Sequence, residues 1–332
     1  MATPGGSTLG GTLGGTLQEL GESAVLARIF PRLPDSTATL LGPGDDAAVL
    51  RAPDGRFVVT TDMMIQGPDF RLAWSTPHDL GWKAAATNLA DVVAMGAVPT
   101  ALVIALAAPP DTDVSVLEGI ADGLRDACEA LVPGCGVVGG DLSSSATLTI
   151  AVTAFGDLEG RDPVTRSGAK PGDVLAVSGA LDLAARGLDL LFERAVDATG
   201  TPDAARAVAL RAEFPAEIEA QLAPSPPLAD GPAAALAGAT AMLDVSDGLA
   251  IDARRIAVAS GVRLDILFAA LESPTSLVGG EAHALLATFP ADAVLPRGFR
   301  VIGRVEAGDG VRIDGVPFDE RGGWDPYVDG DR

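Results

Sequence analysis

Aspartate recurs beside glycine or a small hydroxyl residue in four short runs: Gly44-Asp45-Asp46, Thr60-Thr61-Asp62, Gly139-Gly140-Asp141 and Asp244-Val245-Ser246-Asp247-Gly248. Each lies where a strand or turn pattern starts or stops. Small neighbours let backbone approach a ligand while carboxylate oxygens point at it, which suits hard cations carrying phosphates. Singly, such dipeptides are ordinary turn residues. Gathered, their carboxylates repel by roughly 4 kcal/mol per pair at 4 Å and an effective dielectric near 20, so the site needs a compensating cation. Mg²⁺ with a nucleotide would supply it. Asp91 joins the set, because Asn88 and Asp91 share one face of a small, Ala-rich helix that otherwise reads as buried.

The elements that must position these residues follow from periodicity and punctuation. Strands are predicted at 57–61, 100–107, 136–139 and 147–155. Helices fall between them at about 77–95, opened by Thr76 and Pro77, and at about 114–131. A polar link from Asp157 to Lys170 leads to strand 174–178, a helix from about 181, and a break at Pro224-Ser225-Pro226-Pro227. Strand 241–245 then turns at Ser246-Asp247-Gly248 into helix 249–260, and strands near 263–267 and 300–305 flank a helix around 281–288. Thr16 and Glu19 read as a capping box for one short amphipathic helix through Phe30. The predicted division is 1–43 as a flexible N-terminus and first helix, 44–157 as an α/β domain, and 158–332 as a second α/β domain of similar size and element order. Residues 1–15, Gly/Thr-rich, read as mobile low-complexity chain.

Composition narrows the chemistry. With 332 residues, 48% hydrophobic, the chain can build two ordinary cores. A net charge of −22 disfavours nucleic acid or an anionic membrane as partner. Any polyanionic ligand must come with metal. Lysine is represented only by Lys83 and Lys170 among 23 basic residues. Cys128 and Cys135 have the spacing of neither a zinc site nor a disulfide framework and suit a reducing cytosol. No signal-peptide pattern opens the chain, and the longest apolar run, Ala101 to Ala108, is far short of a membrane span. Gly134-Cys135-Gly136-Val137-Val138-Gly139 matches the dinucleotide fingerprint but follows a helix and enters a strand, the reverse of what that fingerprint requires. There is no P-loop run and no G-x-S-x-G elbow, and of the two histidines His78 reads as an exposed first-turn residue.

The motif order is specific. Gly-Asp-Asp-Ala-Ala from Gly44, Thr-Thr-Asp from Thr60, the run from Lys83 to Pro99, Gly-Gly-Asp from Gly139, the run from Arg166 to Asp173, and Asp-Val-Ser-Asp-Gly-Leu from Asp244 together resemble thiamine-monophosphate kinases. That family belongs to the aminoimidazole ribonucleotide synthetase superfamily, and the resemblance runs from about Thr16 to Trp324. It implies an α/β (α+β) two-domain fold whose N-terminal domains pair into a homodimer. It also implies ATP as co-substrate, several Mg²⁺ ions, and conversion of thiamine monophosphate to thiamine diphosphate in the cytoplasm. Carried onto this chain, Asp46, Thr60, Thr61, Asp62, Asp91, Asp141, Asp244 and Asp247 would be metal ligands, and Gly140, Asp141, Arg166 and Ser246 would contact the nucleotide. No covalent or acid–base residue is implied, since transfer would be direct and metal-assisted.

Departures from the family pattern fall on the acceptor side. Asp69 stands where the family commonly has His before Phe. Gly279-Gly280-Glu281-Ala282-His283-Ala284 keeps only the first three residues of Gly-Gly-Glu-Asp-Tyr-Glu, and Leu181-Asp182-Leu183 replaces a Gly-rich helix start. Asp69, Glu281 and Trp324 are the candidate acceptor residues, Trp324 because its flat face suits a cationic heterocycle. Two other readings stay open: a sister synthetase that uses ATP to activate a different acceptor, and a degenerate protein that binds metal and nucleotide without turnover.

Overall fold

A computed structural model describes residues 15–43 and 47–325. The predicted mobile segment therefore lies almost entirely outside the described residues, as does Asp46. The capping box at Thr16 forms, with Thr16 and Glu19 bonding reciprocally, but Gly21 divides the predicted single helix in two: α1 (Leu17–Leu20) and α2 (Glu22–Ile29). Gly21 adopts a φ of 74°, which ends the first turn before it can propagate. A small hairpin, β1 (Thr39–Leu41) with β2 (Val49–Leu50), precedes the first main sheet.

That sheet contains β3 (Val58–Ile65), β4 (Val98–Ala108), β5 (Gly136–Ser144) and β6 (Thr149–Asp157) in the order β3-β6-β4-β5. Helices α3 (Pro77–Ala94) and α4 (Val114–Leu131) cover one face. Thr76 caps α3 with Asp79 in a reciprocal box, and Pro77 occupies the first turn where its missing N–H costs nothing. Helices α3 and α4 pack unusually close. A Cβ on Gly81 would sit 2.0 Å from the Ile120 carbonyl oxygen, and one on Gly123 would sit 2.0 Å from that of His78.

The second half contains β7 (Val174–Ser178), α5 (Leu183–Arg194), α6 (Ala204–Glu213), α7 (Pro215–Leu222), α8 (Asp230–Leu236), β8 (Ala241–Val245), α9 (Leu249–Ser260) and β9 (Arg263–Ile266). It closes with α10 (Thr275–Val278), β10 (Ala284–Phe289), β11 (Phe299–Glu306), β12 (Gly310–Ile313) and β13 (Val316–Pro317). Its strands form one seven-stranded sheet, β13-β12-β9-β11-β7-β10-β8. The halves therefore differ in architecture, four strands against seven, where the sequence reads as two similar sets.

The predicted helix around 281–288 is a strand, β10, paired antiparallel to both β7 and β8. Ala284–Phe289 is buried throughout, and so short a segment, apolar but for Thr288, carries no periodicity that separates a central strand from a buried helix. Pairing on both sides decided it.

Residue alternation gives the seven-stranded sheet two faces. Leu175, Val177, Leu243 and Val245 pack with Leu249 and Ile256 of α9, whereas Ala176, Met242, Leu285 and Phe289 join the core built around α3. Helix α3 is thus enclosed by α4 and by residues from both sheets, which explains its run of alanines. A satellite core of Trp74, Leu191, Leu210, Ile218 and Leu222 holds α5, α6 and α7 together. Among the described residues no helix is long and apolar enough to cross a membrane.

Candidate active site

A cavity of about 730 Å³ opens where the two halves meet, and Thr60, Asp91, Arg166 and Asp244 line it. Three elements aim them. Alternation along β3 puts Thr60 on the face toward α3, the last turn of α3 supplies Asp91, and alternation along β8 sends Asp244 to the α3 side with Met242. Thr60 Oγ1 donates to Asp91 Oδ2 at 3.2 Å. Burial and then the nearby Asp244 charge push the Asp91 carboxyl up to about 7, with Asp62 adding a smaller push and His283 and Thr60 opposing it. Arg166 sits on a link whose backbone is anchored by Ser260, whose hydroxyl donates to the Arg166 carbonyl at 3.0 Å and accepts from the Gly168 and Ala169 amides.

The turn after β8 organises a second group. Gly248, at φ 128°, lets the chain reverse into α9, and a side chain there would crowd the Val278 carbonyl. Asp247 Oδ2 accepts from Arg255 Nη2 at 2.6 Å, and the Asp247 amide donates to Asp252 Oδ2 at 3.1 Å. Burial raises the Asp252 carboxyl to about 6, Arg255 opposing and the Asp247 and Asp244 charges adding. The Ser246 and Asp247 carbonyls receive the amides of Glu281 at 2.6 Å and Trp324 at 2.9 Å. Ser246 and Asp247 therefore lie between two candidate acceptor residues.

Glu281 and His283 both adopt left-handed backbone, at φ 61° and 47°, a conformation that costs a non-glycine residue free energy and tends to mark functional segments. The Ser246 and Val245 carbonyls hold their amides in place. Lys83 Nζ donates to Glu281 Oε2 at 2.5 Å, and Gln221 Nε2 donates to the same oxygen at 2.6 Å. Burial would raise the Glu281 carboxyl, but the Lys83 ammonium outweighs it and holds it low. Burial likewise works against protonated His283, yet the Asp244 hydrogen bond and charge, with Glu281, overcome it and raise His283. Its Nδ1 lies 3.4 Å from Asp244 Oδ2. Asp69 Oδ2 accepts from the Ile65 amide at 2.7 Å. Desolvation first, then the Glu281 and Asp62 charges, raise the Asp69 carboxyl despite that bond and Lys83.

Other sequence candidates stand apart. The Thr61 hydroxyl donates to the Val152 carbonyl at 2.9 Å and faces Thr153, so its side chain serves the β3–β6 pair. Gly140 and Asp141, on β5, border a separate narrow groove with Phe30, Ile104 and Leu142, and Ser143 donates to Asp141 Oδ2 at 2.7 Å. Sequence reasoning assigned no role to His283, Gln221 or the Asp252–Arg255 pair. His283 was signalled by its place in the altered Gly279–Ala284 motif, whereas Gln221, on a helix outside every motif, carried no signal.

Among the described residues, no three carboxylate, histidine or cysteine side chains converge as a closed metal site. The donor chemistry nevertheless fits Mg²⁺. This ion keeps several waters and binds through one or two carboxylates plus phosphate oxygens, and Asp91 is a carboxylate whose ionisation its surroundings oppose until a cation arrives.

Residues 44–158 match the family model described as AIR synthase related protein, N-terminal domain. The thiamine-monophosphate kinase of Mycobacterium tuberculosis is 45% identical, with 96% of each chain covered. The crystal structure of the thiamine-monophosphate kinase from Stenotrophomonas maltophilia K279a superposes with a TM-score of 0.71 at 30% identity, over 89% of this chain and 96% of that one. A solved structure of AaThiL complexed with AMPPCP and TMP does so with a TM-score of 0.69 at 30% identity, covering 92% and 97%. Together with the carboxylates and arginine gathered between the two sheets, these similarities show that the chain belongs to the thiamine-monophosphate kinase family.

Proposed function

We propose that the protein transfers the γ-phosphoryl group of ATP directly to the phosphate of thiamine monophosphate, giving thiamine diphosphate and ADP. The observation that carries this is the convergence of Thr60, Asp91, Arg166 and Asp244 on one cavity. A relative's structure complexed with AMPPCP and TMP supports the choice of substrates. The bond from the γ-phosphorus to the bridging oxygen breaks as an acceptor phosphate oxygen forms the new one, in line. Arg166 binds phosphate oxygens through its planar fork. Asp62, Asp91, Asp244 and Asp247 would hold Mg²⁺, with Thr60 orienting Asp91 and with Asp46, Asp141 and Thr61 as the remaining family positions. Mg²⁺, when bound, neutralises phosphate charge during transfer. Ser246 offers backbone to the nucleotide, whereas Gly140 has a nucleotide role only by its family position, since it borders a separate groove. Asp69, Glu281 and Trp324 receive the cationic acceptor. Two domains divide at 157/158, and the N-terminal domains pair through the open face of the four-stranded sheet, where Val59, Met63 and Ile65 are exposed. Two free, buried cysteines suit a cytoplasmic setting.

The test is a chromatographic assay of purified protein with ATP, Mg²⁺ and either thiamine or thiamine monophosphate. Thiamine diphosphate and ADP are expected together, and only with the monophosphate. Release of AMP or orthophosphate instead, or ATP binding without any product, would favour a synthetase or a non-catalytic binder.

A further inference from the structure

Helix α3 carries a polar stripe with no assigned role at its centre. Lys83, Thr87 and Asp91 are each four residues apart, so they stack on one helix face with about 6 Å between successive positions along the axis. Asp91, at one end, lines the cavity between the halves. Lys83, at the other, meets Glu281. Thr87 therefore faces the same interface midway between them. Its hydroxyl is buried and has no hydrogen-bond partner among the described residues, a situation that is unfavourable unless a water or ligand completes it.

Lys83 is more than a tie to Glu281. It is buried, one of two lysines in a chain that otherwise relies on arginine, and an ammonium has three donors where Glu281 Oε2 takes one. Gln221 already holds that same oxygen from α7, and its own Oε1 is also buried without a partner. Around this end lie Asp62, Asp69 and Glu281, and the Lys83 ammonium opposes the charges of the other two on Asp69. A phosphate monoester approaching these carboxylates needs a cation held in place, and an ammonium tied to Glu281 by one donor can turn its others toward phosphate oxygens.

We propose that Lys83 and Thr87 form the subsite for the acceptor's phosphate monoester, the ammonium pairing with its oxygens and the Thr87 hydroxyl donating to one of them. The acceptor phosphate then lies along α3, directed at the Asp91 end where the γ-phosphoryl group is held. This subsite rests on the kinase reading given above and adds to it two residues that touch substrate.

The experiment compares wild type with Lys83→Met and Thr87→Val, titrating thiamine monophosphate and thiamine separately by calorimetry without ATP, and recording melting temperature. Lys83→Met is expected to weaken the monophosphate about tenfold or more while thiamine changes less than about twofold. Thr87→Val should weaken the monophosphate about threefold, with a melting temperature equal to or above wild type because an unpartnered hydroxyl has been removed. If Lys83→Met fails to fold, Thr87→Val carries the test alone. Equal weakening of thiamine and its monophosphate, or wild-type monophosphate binding by Thr87→Val, would overturn the subsite and leave Lys83 as an interdomain tie. A wild-type protein that binds the monophosphate with this selectivity but forms no diphosphate sinks the kinase reading and spares the subsite.

Discussion

Asp91, in the last turn of α3, and Asp244, the penultimate residue of β8, come from opposite halves of the chain and line one cavity, where burial and the Asp244 charge lift Asp91 to about 7. A carboxyl raised in the folded state binds its proton more tightly there than when unfolded. Its ionisation therefore costs the folded protein stability as pH rises from the ordinary aspartate value of 3.8 toward about 7. A divalent cation reverses the balance by favouring the ionised form.

Metal–nucleotide binding is accordingly expected to expel a proton and to strengthen as pH rises through about 7, levelling off once Asp91 is ionised without help. Titration calorimetry of Mg²⁺ with ATP, in buffers of different ionisation enthalpy, reads both effects. Removal of Mg²⁺ with EDTA should abolish ATP binding, since bare triphosphate meets uncompensated carboxylates. Equal affinity in EDTA would contradict the metal-bridge reading.

Arg166 lines the same cavity on a backbone anchored by Ser260. Arg166→Lys should lower kcat/KM for ATP by about 10- to 100-fold, because a point charge cannot reproduce two parallel hydrogen bonds to phosphate. Steady-state kinetics at saturating acceptor decide this. Unchanged ATP dependence would make Arg166 a bystander.

Arg211 of α6 grips Asp79 through two hydrogen bonds of 2.9 and 3.0 Å and also binds Glu219, fastening the satellite helices to the start of α3. Burial would raise the Asp79 carboxyl, but Arg211 and the Thr76 cap outweigh it and lower it. Asp79→Asn should therefore destabilise by about 2 kcal/mol near neutral pH, through the lost ion pair and capping box. That contribution is present above the ordinary aspartate value of 3.8 and is lost as pH falls through the lower folded value. The melting-temperature gap to wild type should thus narrow on acidification. A gap that widened would refute the assignment.

Gly140 tests a different constraint. A Cβ there would lie 2.1 Å from the Ile104 carbonyl oxygen on the neighbouring strand. Gly140→Ala should force β4 and β5 apart and cost about 1–3 kcal/mol, measured by denaturant unfolding. A stability equal to wild type would show that the strands yield without cost.

Local signals were strong where structure is local. The Thr76 box, Pro77 and the buried small residues marked α3. Strands 174–178 and 241–245 and helix 249–260 have the predicted bounds, because alternation, capping and the Ser246–Gly248 turn lie within a few residues of one another. The grouping of Asp91 with Asp244 was legible only through motif chemistry, since neither residue constrains the other along the chain. Tertiary structure alone decided the rest. Pairing on both edges turned 284–289 into a strand, α7 brought Gln221 to Glu281 across 60 positions, and strand order placed Gly140 and Asp141 along a different groove from Asp91. Backbone propensity acts over a turn or a strand pair, whereas a site assembled from β3, α3, β8 and the Glu281 segment depends on how two sheets close around one helix.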